Sequence, residues 1–424
     1  MNSLEIRLVV VAIAGVITTL PAAAAGKVCD ARTYGAKADG ATKDTKAIQA
    51  AIDDCASAGG GTVNLTAGTF LSAPILLKSN VTLDLAKGAT LLGSADHADY
   101  PAKTEFRAPG TQSLVSAANA ENIAITGGGA IDGNGESWWT QARATHNAGV
   151  VGAVQFRPRL VVFDHCRHVR MEGVTVQNSP SWQIVPYYTD DMTIRNVRIL
   201  APQHSPNTDA IDPFSSSNMV IDHVYADVGD DNIAIKSGII NSPGPDEPSR
   251  NITITDCEFM HGHGLSIGSE IAGGANNIHA ERIHFKGTDQ GVRIKANRDR
   301  GNQVYGISFK DITMEDVKNP ILISEYYPKA LPEGEVSAEP ITRLTPFFHD
   351  IIIENVKAVR STNAGIIVGL PESPVKNLVL KNVNIAAEKG MIVAYAEVSG
   401  SDVHLVVAKG EAMKVAPNAK VNIK

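Results

Sequence analysis

Residues 192–197 read MTIRNV, and the same six-residue pattern returns as MVIDHV at 219–224 and ITITDC at 252–257. In each unit the first, third and sixth residues are apolar, the fourth is polar, and the fifth is small or polar. Five further units follow this pattern: VRMEGV at 169–174, IHAERI at 278–283, ISFKDI at 307–312, IIIENV at 351–356 and LVLKNV at 378–383. Successive units begin 23 to 44 residues apart, which indicates a structural repeat.

Each unit predicts a short β-strand with alternating faces, then a polar bend and a second strand. Such a segment cannot bury its apolar face alone, whereas stacking one turn on the next buries a continuous apolar column. The sequence therefore predicts an all-β fold, a single-stranded right-handed parallel β-helix in one domain, residues 26–424. An antiparallel sandwich or a propeller is the alternative, but hairpin turns or four-stranded blades at regular spacing are not clear in this chain.

One helix is predicted, at Thr45–Ala56. Its apolar residues recur at helical spacing, and Asp44 is placed to cap its amino end. We expect this helix to cover the amino-terminal end of the solenoid, which otherwise exposes an unpaired strand edge.

The first residues have the pattern of a signal peptide. An apolar run of 13 residues, Leu8–Leu20, follows Arg7 and precedes the small residues Ala22–Ala25. The run is short for a bilayer span, and small residues follow it where a signal peptidase would cut. We therefore expect residues 1–25 to be removed and the protein to be secreted, extracellular or periplasmic, with no membrane partner. An uncleaved amino-terminal anchor is the alternative.

The cysteines and the net charge limit which disulfides, metal sites and binding partners we expect. An exported chain with four cysteines permits disulfides, and Cys29 with Cys55 is the more plausible local pair. Cys257 ends an apolar alternation and is expected in the core. The cysteine spacing is unlike a zinc site, so we expect no structural metal. A net charge of −7 argues against nucleic acid but is compatible with a polyanionic substrate at a locally positive site, and we expect a monomer.

Four polar clusters lie on consecutive predicted turns: NTDAID at 207–212, GDDNIAIK at 229–236, GHGLSIG at 262–268 and GVRIK at 291–295. Alignment of the last three on their apolar pairs gives Asp231 and His263 the same phase, two residues before the pair. Lys236 and Lys295 share the phase just after the pair, and Arg293 faces outward between its apolar neighbours. Equal phase on adjacent turns means neighbours about 4.8 Å apart, so these groups should converge on one patch.

Asp209 is expected one turn from Asp230 and Asp231. Clustered carboxylates repel one another, which raises the proton affinity of one of them and divides the group into an acid and bases, as glycosidic hydrolysis requires. Aspartates in turns also serve simply to bind backbone donors, but the cationic residues predicted beside these ones favour a functional site. Arg293 and Lys295 are suited to bind carboxylates.

The sequences NTDAID, GDDNIAIK, GHGLSIGS and RIK, in that order, resemble the four signatures of the polygalacturonases, glycoside hydrolase family 28. The stretch YGAKADGATKDT at 34–45 is also similar to pectin-active β-helix enzymes. This resemblance covers nearly all of the chain after the predicted signal peptide. It implies hydrolysis of the α-1,4-galacturonosidic bonds of polygalacturonic acid (pectin), with inversion at the anomeric carbon and without a cofactor or metal.

The resemblance also implies roles for the site residues. Asp230 matches the general acid that protonates the leaving oxygen, while Asp209 and Asp231 match the carboxylates that activate water. His263 matches the histidine that supports protonation of the acid. The residues assigned to substrate binding are Asn207, Lys236, Arg293, Lys295 and Tyr327.

Three details qualify the match. Tyr326, beside Tyr327, is an alternative for the family's substrate-contacting tyrosine. Asn232 stands where the family often has cysteine, which touches no catalytic role. Rhamnogalacturonan hydrolases of the family lack parts of the Asn-Thr-Asp and Arg-Ile-Lys set, so the presence of both favours galacturonan as the substrate.

Two other functions stay open from the sequence. A pectate lyase shares the solenoid and would use Asp230 and Asp231 as calcium ligands, with an arginine as base. A non-catalytic carbohydrate-binding solenoid would need a groove but not three carboxylates at matched phase. Endo and exo cutting are undecided, although long loops at 136–159 and 328–347 would favour exo action by walling off one end of a groove.

Overall fold

The computed structural model describes residues 26–147, 156–328 and 336–424, and the predicted signal peptide lies outside these ranges. The described chain winds into successive coils whose strands stack side by side in parallel on three faces. The predicted right-handed parallel β-helix is therefore confirmed. None of the helices in the described ranges has the length and apolarity that a membrane crossing needs.

Each face is a ladder of parallel strands, one from each coil. The first face contains Lys27–Asp30, Gly61–Leu65, Val81–Leu85, Glu121–Gly127, Arg167–Glu172, Asp190–Arg195, Ser217–Asp222, Ser249–Thr255 and Lys420–Ile423. The second face contains Asp39–Lys43, Gly68–Ser72, Ala89–Gly93, Ala130–Asp132, Thr175–Gln177, Arg198–Leu200, Tyr225–Asp227 and Glu258–Met260. The third face contains Ile75–Leu77, Val115–Ala118, Val161–Asp164, Ile184–Tyr187, Ile233–Ile235, Leu265–Gly268, Gln290–Lys295 and Asn319–Ser324.

Other elements complete the coils. The strands Ala275–Lys286 and Gln303–Glu315 bend from the first face to the second. Three longer strands run around all three faces: Phe347–Val368, Val375–Ala394 and Ala396–Val415. An antiparallel hairpin, Ala102–Glu105 with Ala108–Thr111, lies outside the ladders. The helices are Thr45–Ser57 and Glu136–Asn147, with short 3-10 turns at Ala31–Tyr34 and His97–Asp99.

The hexapeptide units lie in register with one another. Their first residues form one column of neighbours on the first face: Val169, Met192, Met219, Ile252, Ile278, Ile307, Ile351 and Leu378. All eight side chains are at most 3% exposed. The apolar positions of the repeat therefore form a continuous buried column, as the sequence predicted.

The fifth residue of every unit makes the bend between the first and second faces. All eight have a left-handed backbone, with φ between 48° and 77°: Gly173, Asn196, His223, Asp256, Arg282, Asp311, Asn355 and Asn382. Glycine adopts this conformation without steric cost, and asparagine and aspartate tolerate it better than most residues. This requirement explains the preference of the repeat for small or polar residues at that position.

The predicted capping helix is confirmed at Thr45–Ser57. It buries Ile48 and Ile52 completely and contacts the first strands of the solenoid. The predicted disulfide joins Cys55 of this helix to Cys29 of the first strand, and Cys257 is buried as expected. The amino-terminal end of the apolar column is therefore covered by a helix that is covalently attached to the first coil.

Two details of the helical prediction were wrong. The Asp44 side chain does not cap the helix, because its carboxylate accepts the backbone N–H groups of Lys37 and Ala38 at 2.7 and 2.8 Å. The segment 136–159 is not simply a loop, since Glu136–Asn147 forms a helix. Its apolar residues are clustered at one end, where Trp138 stacks on His97 with ring centroids 3.5 Å apart. Contact with another part of the fold therefore stabilises this helix, whose sequence lacks apolar residues at helical spacing.

Adjacent isoleucines on one strand provide a test of the apolar column. Ile353 is fully buried, while Ile352 points outward and is 38% exposed. Ile353→Ala should lower the free energy of unfolding by about 2–5 kcal/mol, because a large buried side chain leaves a cavity. Ile352→Ala, the matched control, should change it by less than about 1 kcal/mol. Urea unfolding followed by circular dichroism measures both, and equal losses would contradict the arrangement.

Candidate active site

The polar clusters lie on the third face, where the register aligns their coils. One column of this face is formed by Ile211, Ile233, Leu265 and Val292. Asp209, Asp231 and His263 each precede their column residue by two positions, so they share one phase. The Ala210 N–H donates to the Asp231 carbonyl over 2.9 Å, which places Asp209 on the coil beside Asp231. The structure thus brings the predicted residues together, and their roles stay predictions.

Asp231 is held as an anion by cationic partners from later coils. Its Oδ1 accepts hydrogen bonds from Arg293 Nη2 and, at 3.0 Å, from Ser266 Oγ. Its Oδ2 accepts from Lys295 Nζ at 2.8 Å. Burial alone would raise the pKa of Asp231, but the charges of Arg293 and Lys295 outweigh it and hold that pKa below its usual range.

Asp209 has the opposite environment. Asp209 is buried, and so is the nearby carboxyl group of Asp212, which directly follows Ile211 in the sequence. Burial and the nearby Asp212 charge raise the pKa of Asp209 well above its ordinary value. Burial also raises the pKa of Asp212 to about 7, against the lowering effect of Lys236. The Lys236 ammonium lies 3.7 Å from Asp209 Oδ2 and 3.5 Å from Asp212 Oδ1.

Asp230 is the carboxyl group of the cluster that reaches the surface. Its side chain is 20% exposed, against 4% for Asp209 and 2% for Asp231. Asp230 Oδ1 accepts the Asp231 N–H at 2.9 Å and lies 3.0 Å from His263 Nδ1. Asn207 Nδ2 donates to Asp230 Oδ2 at 3.4 Å. Burial alone would lower the pKa of His263, but the hydrogen bond to Asp230 and the nearby negative charges together outweigh burial, and the pKa is raised above its ordinary value.

The cationic side of the site includes the predicted tyrosine. Lys295 Nζ lies 4.9 Å from the centroid of the Tyr327 ring, which is partly exposed. Tyr326 instead packs in a separate apolar cluster with Val368 and Leu370. Of the two tyrosines, Tyr327 is therefore the one at the site. Glu270, 3.6 Å from Lys236 and partly exposed, also belongs to this charge network and was not predicted.

Three further residues at the site were missed by sequence reasoning. Arg157 Nη2 donates to Asn207 Oδ1 at 2.6 Å. The Arg159 guanidinium and the Lys236 ammonium lie 4.6 and 4.8 Å from the Trp182 ring centroid. Asp212 stands inside the quoted NTDAID motif, and its outward phase after Ile211 was the available signal. Arg157 and Arg159 lie about 50 residues from that motif in sequence, so spacing gave no indication.

Asn232, where the family often has cysteine, has a structural place. It is fully buried, and its side chain donates to the Ala226 carbonyl at 3.1 Å and accepts the Gly264 N–H at 2.9 Å. These bonds join the coil of the aspartate pair to the next coil. The departure therefore replaces a thiol with an amide whose donors and acceptor are used by the backbone.

The donor set is poorly suited to a calcium ion. Asp230, Asp231 and His263 each offer one ligand atom within 4.8 Å of the others. Calcium prefers six to eight oxygen ligands, and both oxygens of Asp231 already bind cationic side chains. A cation placed there would have to displace the Arg293 or Lys295 contact. The arrangement favours a carboxyl group of a ligand beside these cations over a metal ion.

Comparison with known proteins agrees with this geometry. The model of the family "Glycosyl hydrolases family 28" matches residues 53–402. An endo-polygalacturonase of Pectobacterium carotovorum subsp. carotovorum is 33% identical over 376 residues, covering 83% of this chain and 86% of that protein. A probable polygalacturonase of Vitis vinifera is 30% identical, covering 83% of this chain and 73% of that protein.

Solved structures give the same result. The exopolygalacturonase of Thermotoga maritima superposes with a TM-score of 0.76 at 28% identity, over 93% of this chain and 92% of that one. The polygalacturonase of Erwinia carotovora ssp. carotovora superposes with a TM-score of 0.67 at 27% identity, over 91% and 94%. Because the family model spans most of the sequence, this chain belongs to glycosyl hydrolase family 28.

Proposed function

We propose that the protein is a secreted polygalacturonase that hydrolyses the α-1,4-galacturonosidic bonds of polygalacturonic acid. The observation that carries the proposal is one partly exposed carboxyl group, Asp230, in a cluster with buried carboxyl groups and a buried pair of cations, Arg293 and Lys295. The substrate carries a carboxylate on each sugar, which suits these cations. Family membership and the polygalacturonase names of the relatives support the same reaction.

Asp230 is the proposed general acid. Its Oδ1 already accepts the Asp231 N–H and is bonded to His263, whereas Oδ2 has only the long contact from Asn207 Nδ2 at 3.4 Å, so we assign the proton to Oδ2. That proton passes to the glycosidic oxygen as its bond to the anomeric carbon breaks. His263 would then stabilise the carboxylate that remains, since its pKa is raised by the same hydrogen bond.

Asp209 and Asp231 are the carboxylates proposed to activate water. A water molecule on the opposite face of the sugar attacks the anomeric carbon and gives its proton to a carboxylate, so the configuration is inverted. A carboxylate with a raised pKa is the stronger base once ionised, which favours Asp209 as the proton acceptor. Asp231, whose pKa is lowered, would remain charged and stabilise the developing oxocarbenium ion.

The proposed substrate-binding residues are Asn207, Lys236, Arg293, Lys295 and Tyr327. Arg293 and Lys295 lie beside Asp231 and would bind the carboxylate of the sugar next to the acid, with the Tyr327 ring against it. The Lys236 ammonium lies 3.5 to 3.7 Å from carboxylates of Asp209, Asp212 and Glu270, so its contribution would be positive charge beneath the groove. We further propose that residues 1–25 are a signal peptide, that residues 26–424 form one domain, and that the protein is a monomer.

Asp230→Asn tests the acid. It should reduce release of reducing ends from polygalacturonate by a factor of about 10² or more, because the amide cannot donate the proton, while binding of the polymer persists. Asp227→Asn, a partly exposed aspartate on the second face of the same coil, is the control and should leave the rate unchanged. A colorimetric reducing-end assay gives the rate, and calorimetry gives the binding.

Ultraviolet absorbance of the products and the effect of a chelator separate hydrolysis from elimination. A calcium-dependent lyase would make unsaturated products that absorb in the near ultraviolet and would stop in chelator, whereas the proposed hydrolase does neither.

Undiminished reducing-end release by Asp230→Asn would refute the acid assignment. Binding without any turnover by the unaltered protein would favour a carbohydrate-binding solenoid instead.

Asp212→Asn tests the base through pH dependence. If Asp209 must be ionised to accept a proton, kcat/KM should fall as the pH drops through the raised pKa of Asp209. Removal of the Asp212 charge lowers that pKa, so the acid limb of the profile should move to lower pH. An unmoved acid limb would show that Asp209 does not set it. Asp246→Asn, a buried aspartate outside the cluster, is the control.

Product size tests whether one end of the groove is closed. The hairpin 102–111 packs beside the site, with Phe106 6.2 Å from the Trp182 ring and Glu105 bound to Arg159 at 2.9 Å. A wall on this side favours exo action, so galacturonate monomer should be the only early product from a defined hexamer. Chromatography of early time points measures this, and a mixture of oligomers would show endo cutting.

A further inference from the structure

Arg157 is an arginine at the site whose guanidinium is held in place by neutral oxygens. Its Nη1 donates to the carbonyls of Pro180 and Pro206 at 2.8 and 2.7 Å. Its Nη2 donates to Asn207 Oδ1 at 2.6 Å. These three acceptors belong to two neighbouring coils, so the orientation of the guanidinium is fixed before any ligand arrives.

This half-buried cation forms no ion pair with a carboxylate within 4.0 Å in the described parts of the chain. Other arginines near the site do: Arg159 binds Glu105, Arg293 binds Asp231 and Arg300 binds Asp299. A buried charge without a counter-ion is costly unless something binds it. Burial lowers the pKa of Arg157, and the charges of Asp209 and Asp230 oppose this from a distance without an ion pair among the described residues. The donors of Arg157 therefore lack a direct carboxylate partner, which points to an anion that is not part of the protein.

The donors that remain on Arg157 have a suitable geometry. Guanidinium has five N–H groups, of which three are used, and this leaves the Nε hydrogen and one Nη2 hydrogen. The Nε and Nη2 atoms form the edge with which Arg282 and Arg298 bind Asp256 and Glu372 as paired hydrogen bonds in this chain. A carboxylate is thus the chemical group that fits the free donors.

We propose that Arg157 binds the carboxylate of the galacturonate unit on the opposite side of the scissile bond from Arg293 and Lys295. This inference rests on the proposed function. Asn207 joins the two events, because its Oδ1 accepts from Arg157 and its Nδ2 donates to the Asp230 carboxyl group. Binding of a carboxylate to Arg157 would therefore affect the general acid through Asn207.

The order of the coils supports this placement. Arg157 contacts Pro206 and Asn207, which lie on the coil before Asp230. Arg293 follows Asp231 by two coils, because Ile233, Leu265 and Val292 occupy successive coils. Cations therefore flank the proposed acid along the solenoid axis. A polyuronate lying along that axis presents carboxylates on both sides of the bond to be cut.

The alternative is that Arg157 only fixes the orientation of the Asn207 amide, so that a donor faces Asp230. The two interpretations differ in what they do to substrate binding. Loss of a carboxylate contact weakens binding of the acidic substrate and spares a methyl-esterified one. Loss of amide orientation slows turnover and leaves the preference between the two substrates unchanged.

The test compares Arg157→Gln and Arg157→Lys on trigalacturonate and on its fully methyl-esterified form. Arg157→Gln should raise KM for trigalacturonate by about 10- to 100-fold, the usual effect of losing a charge-assisted contact. Its binding of the methyl ester should change by less than about threefold. Arg157→Lys, which keeps the charge but loses the paired geometry, should recover part of the affinity.

Calorimetric binding in the Asp230→Asn background keeps this inference separate from the proposed reaction. If the unaltered protein binds trigalacturonate but cuts nothing, the proposed function fails, while weaker binding after Arg157→Gln still supports the subsite. If kcat falls with unchanged KM, unchanged binding and an unchanged preference for the acid over the ester, Arg157 only positions Asn207 and the subsite is refuted. Thermal unfolding of each variant verifies that it is folded, and Arg157→Lys serves if Arg157→Gln is not.

Discussion

The parallel register of the coils is the constraint on which the rest of the molecule depends. A left-handed residue at the fifth position of every unit turns the chain from the first face to the second at the same point in each coil. Each coil therefore returns to the third face in step with its neighbours. Residues far apart in sequence, such as Asp209, Asp231 and His263, become stacked neighbours because the backbone repeats and not because they attract one another.

This constraint has an electrostatic consequence. Side chains of equal phase are forced into proximity whatever their charge, so the third face accumulates buried acids and buried bases. Asp231 and Asp209 share a phase but have pKa values shifted in opposite directions. Burial acts to raise both pKa values; the charges of Arg293 and Lys295 outweigh it at Asp231, whereas Asp212 adds to it at Asp209. The two aspartates therefore differ in basicity, which suits the different roles proposed for them on the water side of the sugar, and the difference arises from the residues beside each one.

The parts of the structure that repeat were predictable from the sequence. The eight hexapeptide units gave the solenoid, and the alignment of Ile233, Leu265 and Val292 gave the phase of the site. The disulfide between Cys29 and Cys55 and the capping helix followed from local signals. These features were accessible because one register relates sequence position to position in space.

The parts that do not repeat were missed for the same reason. Arg157 and Arg159 come from an insertion between coils, where no register relates them to Asn207 or Trp182. The helix Glu136–Asn147 lies in that same insertion. It is held by the stacking of Trp138 on His97, whereas its sequence lacks apolar residues at helical spacing. The repeat therefore determines where the reacting carboxyl groups stand, while the insertions determine what surrounds them. The family motifs describe the reacting carboxyl groups well, so the residues that determine substrate length and the direction of cutting must be sought in the insertions.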